Sequence, residues 1–529
     1  MVFLRLSGSF CDEIRGTEQP FFRWDLRWES LHHFGRGFVL SWDEVSEPCQ
    51  PRKGLQSPAA VCPAIPLGKC RRYNHAMDKT DNKELRERLI RLGAPRLANA
   101  LLYLSSRLNG AAEYVEALLL TPEEAKKRFK AKLAGLKRRR KYIDWRAAPD
   151  FARELELILA TLHEGVDDPR TGLELVGEFF SCDCAIFERS DDSSGLIGDV
   201  FRYDALNLFV TYAAGCTDKS FVCDLLLRLY EHDDYGVRTE LLAKASDFLP
   251  QKEMRALAVE FWERAKGEPP DSYEAGKWWI GVELLARQLG DPGLFEKAKL
   301  TANPELSSPT CMQIAEVYLE NDDPEMALFW MERIPPTDRF RADAQDRLLY
   351  SIYEQLGDRK KMAETAWRLF RSGRSRSTLD MLLQALGESE RERVIEEQVE
   401  PIMGSATLSY GDAAFLVDMG RLDDASEYLF RYRDQLDGNL YQFLLPLAKA
   451  LEEGGLSLGA TLVYRSLLES ILERAQSRYY HHGVRYLKKL DALSPAINDW
   501  RGLPHHEEYK EGLLEVHGRK RSFWSKYGL

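Results

Sequence analysis

No stretch of the 529-residue sequence approaches the eighteen or so consecutive apolar residues of a membrane span, and residues 1–10 hold too little apolar length for a secretory signal. Cysteine is scarce: there are nine, an odd number without paired spacing, and four of them (Cys11, Cys49, Cys62, Cys70) fall within the first 76 residues. This argues against a disulfide frame and for reduced thiols in a cytoplasm. Also missing are a strand–glycine loop–helix unit, a nucleophile elbow, a metalloprotease helix and a kinase signature. The expectation is therefore a non-enzymatic protein with no catalytic residue, no cofactor and no metal. A net charge of -11 argues against general affinity for polyanions, so any nucleic-acid contact must be local.

What the sequence does have is a repeated unit between about Cys311 and Ala475. Four segments, Asn321–Met326, Gly357–Met362, Gly420–Ala425 and Gly455–Ala460, each place a turn residue five positions before a small or flexible apolar residue. Two of the gaps are one helix pair long and the middle one is nearly two, which a degenerate copy at Gly387–Glu392 would fill. A period of roughly 34 residues is that of tetratricopeptide-like helix pairs, which stack because no pair can bury its own apolar face. The predicted fold is all-α: a helical-repeat, tetratricopeptide-like solenoid with an N-terminal helical region. Met326, Met362, Ala425 and Ala460 should face the inside of their pairs.

Composition divides the rest. Residues 1–76 lack helical period and carry Pro48, Pro51, Pro58, Pro63 and Pro66, so they read as a disordered or wrongly included leader, with Met77 as the expected true start. Residues 77–202 form an N-terminal helical region, with two or three short helices from Glu84 to Leu120 broken at Gly93-Ala94-Pro95. Residues 203–300 read as a helical bundle or irregular repeats, in which Trp262, Trp278 and Trp279 pack. The helix pairs occupy 301–478, and 479–529 supply C-terminal capping helices and a basic tail, with Phe523 and Trp524 docking back.

Thr121-Pro122-Glu123-Glu124 is a strong helix start, with Thr as N-cap, Pro in the first turn and acids on the positive end of the dipole. Beyond it, Lys126, Lys127, Arg128, Lys130, Lys132, Lys137, Arg138, Arg139, Arg140 and Lys141 place ten cations in sixteen residues with no acid among them, while Phe129, Leu133, Leu136 and Ile143 line one face. Such a helix can lie along phosphates, on an anionic membrane or against acidic protein. With no interleaved aromatics for base stacking, an internal role against the protein's own acidic surface is favoured. The ten residues are the candidate polyanion or partner contact.

Other clusters point to structure. Cys182, Cys184, Cys216 and Cys223 do not have structural-zinc spacing, and buried free thiols are the expectation. Glu188, Asp191, Asp192 and Asp199 read as caps and turn formers rather than as a cation loop. His481-His482, His505-His506 and His517 gather five histidines, but neighbours on a helix diverge by about 100 degrees, so at most one of each adjacent pair could join a metal.

The succession Arg139–Arg146, Val166–Gly172, Ile186–Ser193 and Gly198–Phe201 resembles a family of all-helical bacterial proteins of unknown function, whose members carry tetratricopeptide-like pairs downstream. Residues 503–509 and 517–524 resemble that family's tail and, more loosely, the C-terminal helices of SWIM zinc-finger proteins. The Cys-x-Cys followed by Cys-x-His of the SWIM finger is absent, so its metal-dependent binding is not implied. Taken together, the sequence predicts a scaffold for protein–protein interaction, with a protein or peptide segment held on the concave face of the repeats and no membrane partner. The alternative is a nucleic-acid-associated protein binding through the basic helix 126–141.

Overall fold

The computed structural model describes residues 79–108 and 110–528. Among them the all-α expectation holds: helices alternate with turns, and the only strand-like feature is an isolated parallel bridge between Ile143 and Ser190. The expected leader, residues 1–76, and the start at Met77 lie outside the described residues.

Three helices come first, Lys79–Arg91, Ala94–Ser105 and Ala111–Ala117. Gly93, at φ 79, breaks the first from the second where the Gly-Ala-Pro sequence predicts it. The second helix buries none of its residues, and Leu85, Leu89, Ile90, Leu102, Tyr103 and Leu119 are all exposed.

The next part runs from Pro122–Arg138 to Gln251–Gly267 and packs around aromatic rings. Phe179, Phe180, Phe201 and Phe209 are fully buried, with Phe179 and Phe201 centred 5.0 Å apart. The π-helix Val200–Ala205 feeds Phe201 into this cluster. Within the region read as a helical bundle, a short helix Thr239–Ala243 is followed by a 3-10 turn at Ala245–Asp247. A side chain explains where it starts: one Asp233 oxygen accepts from the N–H groups of Arg238 (3.1 Å) and Thr239 (2.7 Å). The Arg238 guanidinium meanwhile turns inward to Asp183. Both partners are almost fully buried, at 5% and 0% exposure. Trp278 and Trp279 are buried in the same core, and Trp262 meets Trp279 edge-on at 4.8 Å.

From Tyr273 onward one connection recurs. The helices Tyr273–Gln288, Ser308–Glu320, Ala342–Leu356, Tyr410–Asp418 and Tyr441–Glu453 are each followed almost at once by a second helix packed against the first. At each link a residue takes the left-handed conformation: Gly290, Asp322, Gly357, Gly420 and Gly455, with φ between 58 and 76. The next residue's N–H then reaches back to a carbonyl five positions earlier, as in Asp323 to Tyr318 (3.1 Å), Asp358 to Tyr353 (3.0 Å) and Leu456 to Leu451 (2.8 Å). This closes the helix end in the Schellman manner. At Asp291, Asp323 and Asp358 that same residue caps the following helix through its carboxylate.

This geometry corrects the register of the first copy. The left-handed residue is Asp322, not Asn321, so the buried residue five positions on is Ala327 (0% exposed), and Met326 is only half-buried. Met362, Ala425 and Ala460 are buried as expected. The Gly387 segment does not repeat the turn: a 3-10 turn follows it and Glu392 is exposed. Conversely, Gly290 begins a full copy inside the segment 203–300, so the pairs start at Tyr273 rather than at 301. Close packing between pairs shows at Gly459, where a Cβ would come within 2.5 Å of the Ser426 hydroxyl.

The helices Tyr480–Leu493, His506–His517 and Arg521–Tyr527 close the chain. Phe523 (0%) and Trp524 (5%) dock into the core of the later pairs.

Candidate contact site on the basic helix

Thr121 and Glu124 form a reciprocal capping box, the Thr side chain accepting from the Glu124 N–H and the Glu carboxylate from the Thr121 N–H (2.9 Å). The Thr121 N–H and, with it, the Thr121 hydroxyl (2.7 Å) donate to the Glu124 carboxylate and hold that carboxyl below its ordinary value. Ala125, Phe129, Leu133 and Leu136 are buried. Ile143, expected on the same face, is buried too but lies beyond the helix, which ends at Arg138 rather than running through 141. The Arg189 guanidinium donates to the carbonyls of Lys137 and Arg139, and the Ile143 backbone pairs with Arg189 and Asp191, so the chain leaves the helix in an extended path.

The ten cations divide into two sets. Arg128 faces Glu113 (3.6 Å) and Glu116 (3.4 Å), Lys132 faces Glu113 (2.5 Å), and Lys130 faces Glu178 (2.9 Å). Arg139 reaches both oxygens of Glu154 at 3.1 and 3.0 Å while lying over the Phe151 ring. These four meet acids on neighbouring helices of the chain. Lys126, Lys127, Lys137, Arg138, Arg140 and Lys141 form no ion pair among the described residues. A shallow hollow lined by Arg128, Lys132, Gly135, Arg139 and Glu154 separates paired cations on the helix.

Sequence reasoning passed over two residues here. Tyr142 and Trp145 lie just past the basic run and are 60% and 55% exposed, with the Arg146 guanidinium 4.7 Å from the centre of the Trp145 ring. Their signal was available as two aromatics within five residues of the last cation, in a segment with no helical period to bury them.

The remaining clusters have other partners. Burial, aided by Asp183 and Asp234, pushes the Cys184 thiol up to about 12, and burial raises Cys182 and Cys223 to about 11. The five described cysteines are unpaired, and no three His, Cys, Asp or Glu side chains converge as a metal site among the described residues. Asp192 accepts from the N–H groups of Ile197 and Gly198 (2.9 and 2.8 Å), and Asp191 from Ser193, so these two acids build the turn. His506 is buried against Asp491 at 2.8 Å, the His481 and His482 rings lie 3.9 Å apart and tilted by 40°, and the His517 carbonyl accepts from the Trp524 indole.

Near the C-terminus Arg465 lies between Tyr509 (4.1 Å) and Trp500 (5.0 Å), donating to the Pro504 carbonyl at 2.9 Å. This fastens the final segment to the Ser457–Glu473 helix.

The described residues, with their N-terminal helices, capped basic helix and closing aromatic pair, fall almost wholly within one match: a family of unknown function covers residues 77–526. The chain belongs to the DUF6880 family. No curated protein matches this DUF6880 chain. No helix among its described residues is long and apolar enough to cross a membrane.

Proposed function

We propose that the protein is a non-enzymatic scaffold whose tetratricopeptide-like helix pairs stack as a solenoid and hold a protein or peptide segment on their concave face. The reading rests on the turn that recurs at Gly290, Asp322, Gly357, Gly420 and Gly455, since units joined identically and packed on their neighbours present a continuous side-chain surface. Polar links along the array favour it: Arg287 meets Glu320 at 2.7 Å between the first two pairs, Arg374 meets Asp412 at 3.0 Å, and Gln384, on the helix Arg376–Leu386, reaches Glu354. The five cysteines among the described residues are all unpaired, which fits a reducing cytoplasm. The test is selection of binding peptides from a displayed library by the full chain, followed by hydrogen exchange with and without the selected peptide. Protection on the first helices of the pairs between 308 and 453 is expected. Protection confined to other regions, or no peptide selected, overturns the reading.

A further inference from the structure

We infer that the end of the basic helix and the segment after it form a binding surface for single-stranded nucleic acid, independent of the helix pairs. Lys137, Arg138, Arg140, Lys141 and Arg146 are all exposed, and none has an ion pair among the described residues. This separates them from Arg128, Lys130, Lys132 and Arg139, whose charge is answered by neighbouring glutamates. Among them stand Tyr142 and Trp145, 60% and 55% exposed, the latter carrying a guanidinium over one face. The one acid within the stretch, Asp144, is itself exposed, and one of its carboxylate oxygens accepts from the N–H groups of Arg146 and Ala147 (2.9 and 3.0 Å), capping the turn that follows.

Cations that track phosphates, with aromatic faces on which bases stack, are the two requirements for holding an unpaired strand. A duplex meets only the first, because its bases are already stacked. The extended backbone, fixed on one side by the Ile143–Ser190 bridge and the buried Ile143 side chain, presents Tyr142 outward. Arg189, locked onto the carbonyls of Lys137 and Arg139, sets the angle at which helix and segment meet. An acidic protein would use the charges but would gain little from the rings, so single-stranded nucleic acid is the better fit.

The test is fluorescence anisotropy with the full chain and labelled oligothymidylate and oligouridylate of about 20 nucleotides, over a salt series, with a duplex of equal length and polyglutamate as competitors. Single strands should bind best and weaken steeply as salt rises. Trp145→Ala should lose about tenfold in affinity, with Trp145→Phe restoring most of it. Arg140→Gln with Lys141→Gln should lower the slope of log affinity against log salt by roughly 0.7 for each lost phosphate contact. Because both rings are exposed, circular dichroism of the variants should match the parent, and Tyr142→Ala serves should Trp145→Ala misfold. No single-strand binding at low salt, equal binding of duplex with Trp145→Ala unaffected, or competition by polyglutamate alone would each overturn the inference.

Discussion

The region from Pro122 to Gly267 and the pairs from Tyr273 to Glu473 are both helical and well packed, yet they are held by different means. In the first, decisive bonds join residues some fifty positions apart: Arg238 to Asp183, Tyr212 to the Val166 carbonyl at 2.9 Å, and Arg189 to the Arg139 carbonyl. In the second, a turn closed over six residues sets each pair, and polar links along the array, such as Arg287 to Glu320, Arg374 to Asp412 and Gln384 to Glu354, span about 30 to 40 residues. The first region thus depends on a few long-range contacts that must all be right, and the second on a local rule applied repeatedly.

The sharpest way to break the comparison is at the buried ion pair. Asp183→Asn strands a nearly fully buried guanidinium and should cost about 3–5 kcal/mol, read as a lowered melting point, whereas replacing Asp183 and Arg238 together by apolar residues should recover much of it. Next, Ala460→Glu forces a charge into a fully buried site and should cost about 3 kcal/mol. If hydrogen exchange then rises in 410–493 but not in 148–248, the two regions respond separately, and a uniform rise would merge them. A smaller effect isolates the turn itself. Gly357→Ala meets no atom within 4 Å but must keep φ 70, so the cost is conformational, about 1 kcal/mol. Asp322→Gly, the converse change at φ 58, should stabilise slightly.

Acid offers another probe. Asp491 is partly buried, which by itself would raise its carboxyl, but hydrogen bonds from His506, Tyr527 and Lys510 outweigh that and hold it below its ordinary value. A carboxyl lowered by folding stabilises above its unfolded value, and that contribution disappears as pH falls through the folded value. Asp491→Asn should therefore flatten the decline in melting point on the acid side while lowering the plateau near neutrality. The smallest effects belong to the basic run. Arg139→Glu, set against Glu154, should lower the melting point measurably at low salt and less at high salt, while Arg140→Glu should hardly move it, in line with about 0 to 1 kcal/mol for exposed charges.

The same division governs what could be read from the sequence. The recurring turn was legible because its signal is local: glycine or aspartate in a left-handed position, a cap, then a small residue in the next turn. Asn321 misled by one position because asparagine also favours that conformation, and only the bond from Asp323 to Tyr318 shows which residue adopts it. The start of the basic helix was legible for the same reason. Its end was not, because what stops it is Arg189, fifty residues away. Nor could spacing sort the ten cations, since Glu113, Glu154 and Glu178 reach them from three other helices. Tyr142 and Trp145 were overlooked because a search for aromatics among the cations stops where the cations stop.

The turn at Gly357-Asp358 leaves no slack between its two helices. An inserted residue there would carry the second helix around by about 100 degrees and bring a different side chain to the place of Met362. The longer stretches at 303–307, 332–341 and 432–440 lie between pairs and carry no such bond. Insertions and deletions that the fold survives should therefore fall in these stretches, so that the chain lengthens or shortens between whole units and each pair is inherited as an indivisible block.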